Sequence, residues 1–405
     1  MSVRSDRLEW IGFLLIAACL GVVQFSIFLA QSVLFSLAAI LWLIVTVRDG
    51  RRPDVPPFFL PLVVYAGLTL VSSAFSTDPS ESFWDSRQLL LWLLVPIVCR
   101  FARGGTRATT VLNVIIALGA AGALVGIIQW AMFGYDNETQ RPVGTLSHYM
   151  TYSGVLMLVT ATAVSSLVFR QREWVWPAIA VPALVAALAF TLSRSAYVGM
   201  FAAVLFLLAQ KHWKLVLVAP VVAALLVAIA PATVRNRVFS IVDVNNPTNR
   251  DRVAMWKVGA GMVRAHPLFG VGPEQVGSQY HRYRPAEYVN ATNPHLHNVP
   301  IQIAAERGIP ALLAWLWFVV VAARDLLRQT IRGPNRAVAG AGAAAVVAML
   351  FAGMFEYNFG DSEFLMLFLG LISLPHAAAA GEDPAADTAG VRPIAPRREP
   401  VAHVG

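Results

Sequence analysis

One histidine at a helix start and several arginines in the connections between apolar stretches are the residues of this chain best suited by type and spacing to chemistry. His297 falls in Pro294-His295-Leu296-His297-Asn298, just ahead of a helical pattern from Val299 to Glu306. Asn298 is a favourable N-cap and Pro300 is tolerated in a first turn, so the spacing predicts a helix beginning there. The partial positive charge of that N-terminus disfavours imidazolium and is expected to keep His297 neutral near pH 7, as a general base requires. Upstream, Asn249 or Thr248 can cap a helix from Arg250 to about His266, where Pro267 stops it. On it Arg252, Trp256, Gly259 and Val263 recur at spacings of four, three and four, so one face carries a cation beside an aromatic ring.

Arg194 sits in Thr191-Leu192-Ser193-Arg194-Ser195, at a sharp turn between two apolar stretches. An arginine at a membrane edge is costly unless it snorkels, pairs or lines a wet cavity. Arg141, in Gln140-Arg141-Pro142-Val143-Gly144-Thr145, occupies a comparable position, with Glu138 and Asp136 as acids that could pair with it. Guanidiniums grip phosphate oxygens bidentately and stay charged, so several of them with one neutral imidazole suit a diphosphate leaving group. The bland readings are that His281 and His295 are hydrogen-bonding surface residues and that His266 ends a helix. Arg235, Arg237, Arg282 and Arg284 would then touch lipid headgroups, and Trp256 would pack at an interface.

Metals and cofactors are not expected. The outer acids Asp78, Glu81, Asp85, Asp136, Glu138, Asp243, Asp251, Glu274 and Glu287 are scattered rather than spaced as ligands. Gly270-Val271-Gly272 is too short for a nucleotide-binding fingerprint, and no strand precedes it. Arginines would do the charge stabilisation a divalent cation does elsewhere, and the energy would arrive in the donor.

These residues need a scaffold, and the composition names it. The 405 residues are 57% hydrophobic and only 13% charged, with a mean hydropathy of +0.62, far more apolar than a soluble domain. An all-α integral membrane protein of about twelve transmembrane helices is expected, each span long enough to cross the hydrocarbon. The approximate spans are 9–27, 30–47, 57–75, 88–101, 109–133, 150–169, 174–192, 195–210, 214–231, 309–327, 336–355 and 362–379. Spans one to nine fill residues 1–232. A long, partly helical outer loop follows at 233–308, then three more spans within 309–380 and a disordered inner tail at 381–405. The tail character begins at His376. The first span lacks a small-residue cleavage pattern and reads as a retained anchor. Cys19 and Cys99 fall in or beside spans, so no disulfide framework is expected.

Loop charge orients the bundle. With the N-terminus inside, the inner segments hold 19 of the 31 basic residues, and each short outer loop holds only one, Arg87, Arg141 or Arg194. The 233–308 loop breaks the rule with nine: Arg235, Arg237, Arg250, Arg252, Lys257, Arg264, Arg282, Arg284 and Arg307. Something anionic must compensate it.

His266-Pro267-Leu268-Phe269-Gly270-Val271-Gly272-Pro273, then His297-Asn298, then Glu306-Arg307-Gly308-Ile309-Pro310 resemble the shared region of O-antigen ligases, O-antigen polymerases and bacterial protein O-oligosaccharyltransferases. The Arg141–Thr145 and Ser193-Arg194-Ser195 segments look like further landmarks of that superfamily. The resemblance is specific from about Asp251 to Pro310. It implies a GT-C-type inverting glycosyltransferase of the Gram-negative inner membrane, both termini cytoplasmic, working on the periplasmic face. The donor would be an undecaprenyl-diphosphate-linked O-antigen and the acceptor, for a ligase, a sugar hydroxyl of lipid A-core, with no nucleic acid involved. Carried over residue by residue, His297 becomes the base, and Arg194 and Arg252 the stabilisers of the departing diphosphate. Arg141, Arg264 and Trp256 are further donor-binding candidates. The short tail and the single large outer loop favour ligase over protein transferase or polymerase. An anion transporter is the rival from another class, since an arginine at a span break also suits anion permeation. Its spans would need polar residues lining a path, whereas these are almost uniformly Ala, Val, Leu and Phe.

Overall fold

A computed structural model describes residues 3–50, 52–169, 175–285 and 290–380. The expected tail at 381–405 lies outside them, as do Arg51, Arg170, Arg172, Glu287, Arg392, Arg397 and Arg398. Among the described residues every regular element is helical. In chain order these are α1 (Val3–Val22), α2 (Ser36–Asp49, continuing a π-helical turn Phe28–Phe35), α3 (Phe59–Ala74), α4 (Pro79–Asp85) and α5 (Leu94–Phe101, entered through a 3-10 turn Ser86–Leu93). Then come α6 (Gly105–Met132), α7 (Tyr149–Val168), α8 (Val175–Phe190), α9 (Arg194–Lys211) and α10 (Val218–Ile229). The remainder are α11 (Ala232–Phe239), α12 (Pro247–Ala265), α13 (Val276–Tyr283), α14 (Val299–Arg332), α15 (Arg336–Ala352) and α16 (Ser362–Ala379).

Five helical stretches are long and apolar enough to cross a membrane: Phe28–Asp49, Gly105–Met132, Tyr149–Val168, Val299–Arg332 and Ser362–Ala379. Four shorter apolar helices accompany them: Phe59–Ala74, Val175–Phe190, Trp213–Ile229 and Arg336–Ala352. Helix also lies over each of the twelve stretches read as spans. This is a multi-pass helical membrane protein.

The bundle is built around α7, α15 and α16, which are buried along most of their length. α15 is almost all Ala, Gly and Val, and its small side chains let α7, α9, α14 and α16 pack closely on it. A Cβ on Gly199 of α9 would come 2.8 Å from the Ala348 carbonyl, so the two backbones approach too closely for a larger residue. α10 is the opposite case, an apolar helix with only Ala219 buried and Ile229 82% exposed, as expected of a surface solvated by lipid tails.

The connections contact one another in two separate sets. On one side Arg100 pairs with Glu9 and Asp49 (both 2.6 Å), and Arg103 donates to the Ala380 carbonyl (2.9 Å). On the other, Thr77 meets Val271, Glu138 meets Arg237, and Gln88 meets Gly360. These are the two groups of loops that charge separates.

Three local expectations need correction. The cap of α12 is Asn246, whose side chain accepts from Thr248 N at 3.1 Å, so the helix starts at Pro247 and neither Thr248 nor Asn249 caps it. Asn249 instead donates to the carbonyls of Ser240 (3.1 Å) and Asp243 (2.7 Å). No chain break separates the long loop from the tenth span, because α14 runs from Val299 to Arg332 with a single kink at Gly308 (φ 82°, ψ 171°). Finally, His376 does not open the tail. α16 continues to Ala379, and His376 Nε2 lies 3.1 Å from Asp54, an acid the charge rule discounts.

Candidate active site

The turn before α9 delivers Arg194. Thr191 Oγ1 donates to Leu188 O (2.7 Å) and accepts from Ser193 N (3.3 Å), while Leu192 takes a left-handed conformation, φ 52°, that β-substituted residues rarely adopt. The Leu192 carbonyl accepts from Arg237 Nε at 3.0 Å. Arg194 leaves this turn 4% exposed. Its Nη1 donates to the Ser240 carbonyl (2.9 Å) and hydroxyl (3.3 Å), and its buried Nη2 has no partner among the described residues.

A cavity of about 630 Å³ opens between the start of α9, the α11–α12 connection and α12. Arg194, Arg252 and Trp256 all line it, and Phe355 closes one side with its ring centroid 6.4 Å from that of Trp256. Arg252 has no hydrogen bond or ion pair among the described residues. Arg194 feels the charges of Arg237, Arg252 and Arg141; of these only Arg252 is in the cavity wall, which also holds Arg250, Lys257 and one carboxylate, Asp243. Glu138 partly offsets Arg237 and Arg141, lying 2.9 Å from the first and 3.8 Å from the second. Arg141 also lies over the Tyr149 ring at 4.3 Å, and Gln129 fixes its segment by accepting from Val143 N and Gly144 N. Burial lowers the pKa of Arg141 despite Tyr149 and Glu138, and that of Arg252 despite Glu356. Arg264, at the far end of α12, is exposed and does not line the cavity.

His297 is clamped. It takes φ 47°, Leu296 N donates to Gln302 Oε1 (2.7 Å), and the Asn298 cap accepts from Ile301 N (2.9 Å). Val299 N donates to Gly353 O (2.7 Å) and Asn298 Nδ2 to Met354 O (3.0 Å), which staples the segment to the α15–α16 connection. That connection presents Glu356, 2.8 Å from His297 Nδ1. Two of the three non-glycine residues with positive φ among those described are Leu192, two residues before Arg194, and His297 itself, so the backbone is strained beside both candidate groups. His297 is not in the cavity wall itself, but Arg252 and His297 are close enough to influence one another electrostatically.

The expected direction of the His297 pKa needs correction. Burial does push the His297 pKa down, but the Glu356 carboxylate outweighs it and the net shift is upward. Glu356 moves the opposite way, below its usual value, because His297 and the Tyr357 amide overcome the penalty of burial. His295, read as a surface residue, is half-buried against Tyr357 with ring centroids 5.5 Å apart; its Nδ1 is unpartnered, and burial lowers its pKa. Among the described residues no three His, Cys, Asp or Glu side chains gather as a metal-ligand set.

Residues 179–316, which carry Arg194, Arg252, Trp256 and His297, match the family model described as O-Antigen ligase. That stretch, about a third of the chain, is similar to the O-antigen ligase family. Members of this family are glycosyltransferase-like enzymes acting on lipid-linked sugars. Among curated proteins none matches the chain significantly.

Two of the three segments that carry the resemblance between Asp251 and Pro310 turn out to be one structure. The His266–Pro273 turn lies against the kink of α14, with Val271 N donating to Ala305 O, Gly272 N to Glu306 O (both 2.9 Å) and Ile309 N to Pro267 O (2.8 Å). A Cβ at Gly308 would overlap the Leu268 carbonyl, and one at Gly270 the Glu306 backbone, so both positions require glycine for space as well as for φ. Ser72 of α3 donates to Phe269 O (2.7 Å) and Glu306 O (3.0 Å), pinning the ligase-family region to the bundle.

Sequence reasoning missed Glu356, Arg237 and His148. Glu356 falls in a short connection that reads as a mere turn, though Glu356-Tyr357-Asn358 is a polar triplet between two apolar spans, and that is a usable signal. Arg237 was visible only as one basic residue among nine. His148 caps α7, its Nδ1 accepting from Met150 N at 3.2 Å, and it lies within electrostatic reach of Glu356, Arg141 and His297.

Proposed function

We propose that this chain is an O-antigen ligase of GT-C type, crossing the Gram-negative inner membrane twelve times with both termini cytoplasmic and the arginine-lined mouth periplasmic. The donor is O-antigen polysaccharide on undecaprenyl diphosphate, and the acceptor is a sugar hydroxyl of lipid A-core. His297 takes the hydroxyl proton as the acceptor oxygen bonds to the anomeric carbon. The bond from that carbon to the diphosphate oxygen breaks, and undecaprenyl diphosphate leaves from the opposite face, inverting the anomeric centre. Arg194 and Arg252 hold the developing negative charge, Arg141 adds to the field, and Trp256 offers a ring to the first sugar. Fixed donors aimed at charge that appears only in the transition state are a large source of rate. No metal is required.

The observation that carries this reading is that Arg194 and Arg252 face one cavity without a carboxylate partner, near His297. A buried and a half-buried cation without a counter-charge are unfavourable unless an anion arrives. The test is transfer by purified protein from undecaprenyl-diphosphate glycan to lipid A-core in EDTA. Ligated product is expected at the rate seen with magnesium. Product that requires magnesium would remove the metal-independent mechanism, and anion flux without transfer would assign a transporter. In a deletion strain, loss of the long-chain lipopolysaccharide ladder with accumulation of lipid-linked polymer marks a ligase, whereas single-repeat product marks a polymerase.

A further inference from the structure

We propose that Glu356 is the positioning residue of the transfer reaction: it holds His297 Nδ1 as a donor and so leaves Nε2 as the atom that meets the acceptor hydroxyl. The inference rests on reading His297 as the base. Glu356 Oε1 is 2.8 Å from His297 Nδ1 and also accepts from Tyr357 N at 3.0 Å. A carboxylate can only accept, so the shared proton sits on Nδ1 and the neutral ring presents a lone pair at Nε2. Glu356 is 6% exposed, and the Val299–Gly353 and Asn298–Met354 bonds fix its backbone relative to His297. The pair is therefore set before any substrate binds, by elements about sixty residues apart in sequence.

A bare structural ion pair is the competing account, and the surroundings argue against it. Glu356 Oε2 is buried and has no hydrogen-bond partner among the described residues, so the carboxylate is not placed to maximise its own satisfaction. What it does is hold one imidazole at the edge of a cationic mouth. Arg252 on α12 and, more weakly placed, His148 at the start of α7 and His295 on the same segment oppose a proton on His297; Asp251 on α12 and Asp361 beside α16 favour it. Once His297 has taken the acceptor's proton, the imidazolium stands among arginines. Glu356 is the group that stabilises it there.

The consequence is a signed pH effect. Only the neutral ring accepts a proton, so the rate rises with pH through the His297 pKa, which Glu356 raises. Glu356→Gln keeps an acceptor oxygen for Nδ1 but removes the charge. Its plateau rate should fall at least about tenfold, and its acid limb should move to lower pH; Glu356→Asp should return the limb toward its original place. A titration of the His297 ring by nitrogen NMR in detergent should shift the same way, independently of turnover. A plateau unchanged in Glu356→Gln, or lowered with neither the limb nor the ring titration displaced, overturns the proposal. If Glu356→Gln does not fold, Glu356→Asp with the same two readouts decides it. His297→Ala separates the two readings: transfer that survives it removes the base assignment, whereas abolished transfer with an undisplaced limb in Glu356→Gln removes only the role of Glu356.

Discussion

Two clusters of charge are built in opposite ways. At the kink of α14, Arg307 contacts Glu306, reaches Tyr357 Oη at 3.3 Å and Asp85 at 3.4 Å, while Gln302 donates to Glu306 at 2.8 Å and Glu274 N to the same carboxylate at 3.1 Å. At the mouth, Arg194 has only Ser240 as a partner and Arg252 has none among the described residues. The first cluster brings acids to its cation and closes on itself. The second gathers cations around a cavity whose wall holds one carboxylate, Asp243, bonded to neither Arg194 nor Arg252. Paired charge in an apolar setting locks one geometry, whereas unpaired charge is tolerable only where something anionic binds.

Exchanging the two arginine types tests that contrast most severely. Arg194→Ala and Arg252→Ala should each lower the transfer rate by roughly a hundred- to a thousandfold, with thermal stability of the purified protein unchanged or higher because a cation without a counter-charge is gone. Lysine at both positions should rescue poorly, since it lacks the planar fork. Full rate with both lysines would mean that the mouth supplies charge alone. Arg307→Ala should do the reverse, lowering stability by about 3–5 kcal/mol as it strands Glu306 and Asp85. Melting curves and yield would register it, while any folded fraction should keep its KM for the donor. An Arg307→Ala protein that melts normally yet fails to transfer would place the kink in the chemistry and dissolve the distinction. The smallest effect belongs to Arg264→Ala, expected within about twofold of the parent in transfer rate, the range of an exposed substitution away from a site. A large loss there would mean that the donor extends along α12 well beyond the cavity.

Much of the arrangement could be read before any coordinates. The periodicity of Arg252 and Trp256 correctly puts both on one face of α12, and Gly259 on the same face meets Leu296 and Ile301, so its lack of a side chain is what lets the loop pack there. Asn298 caps the helix it was expected to cap. The fate of Arg141 was also visible, in the acid three residues before it. What could not be read was anything set by a neighbour distant in sequence. Glu356 reverses the expected direction of the His297 pKa, and the local argument from the helix N-terminus could not know that a carboxylate would be stapled beside it. Arg264 and Arg252 look alike in sequence, yet one ends exposed and the other at the cavity wall.

The sequence by itself determined the helices and the cap of α14, because hydropathy and capping act through near neighbours in the chain. Tertiary packing alone decided which cations would meet an acid and which would not. Placing Asp85 against Arg307, or Glu356 against His297, depends on contacts made across the bundle, and the strength of a buried charge interaction depends on that distance and on the exclusion of water.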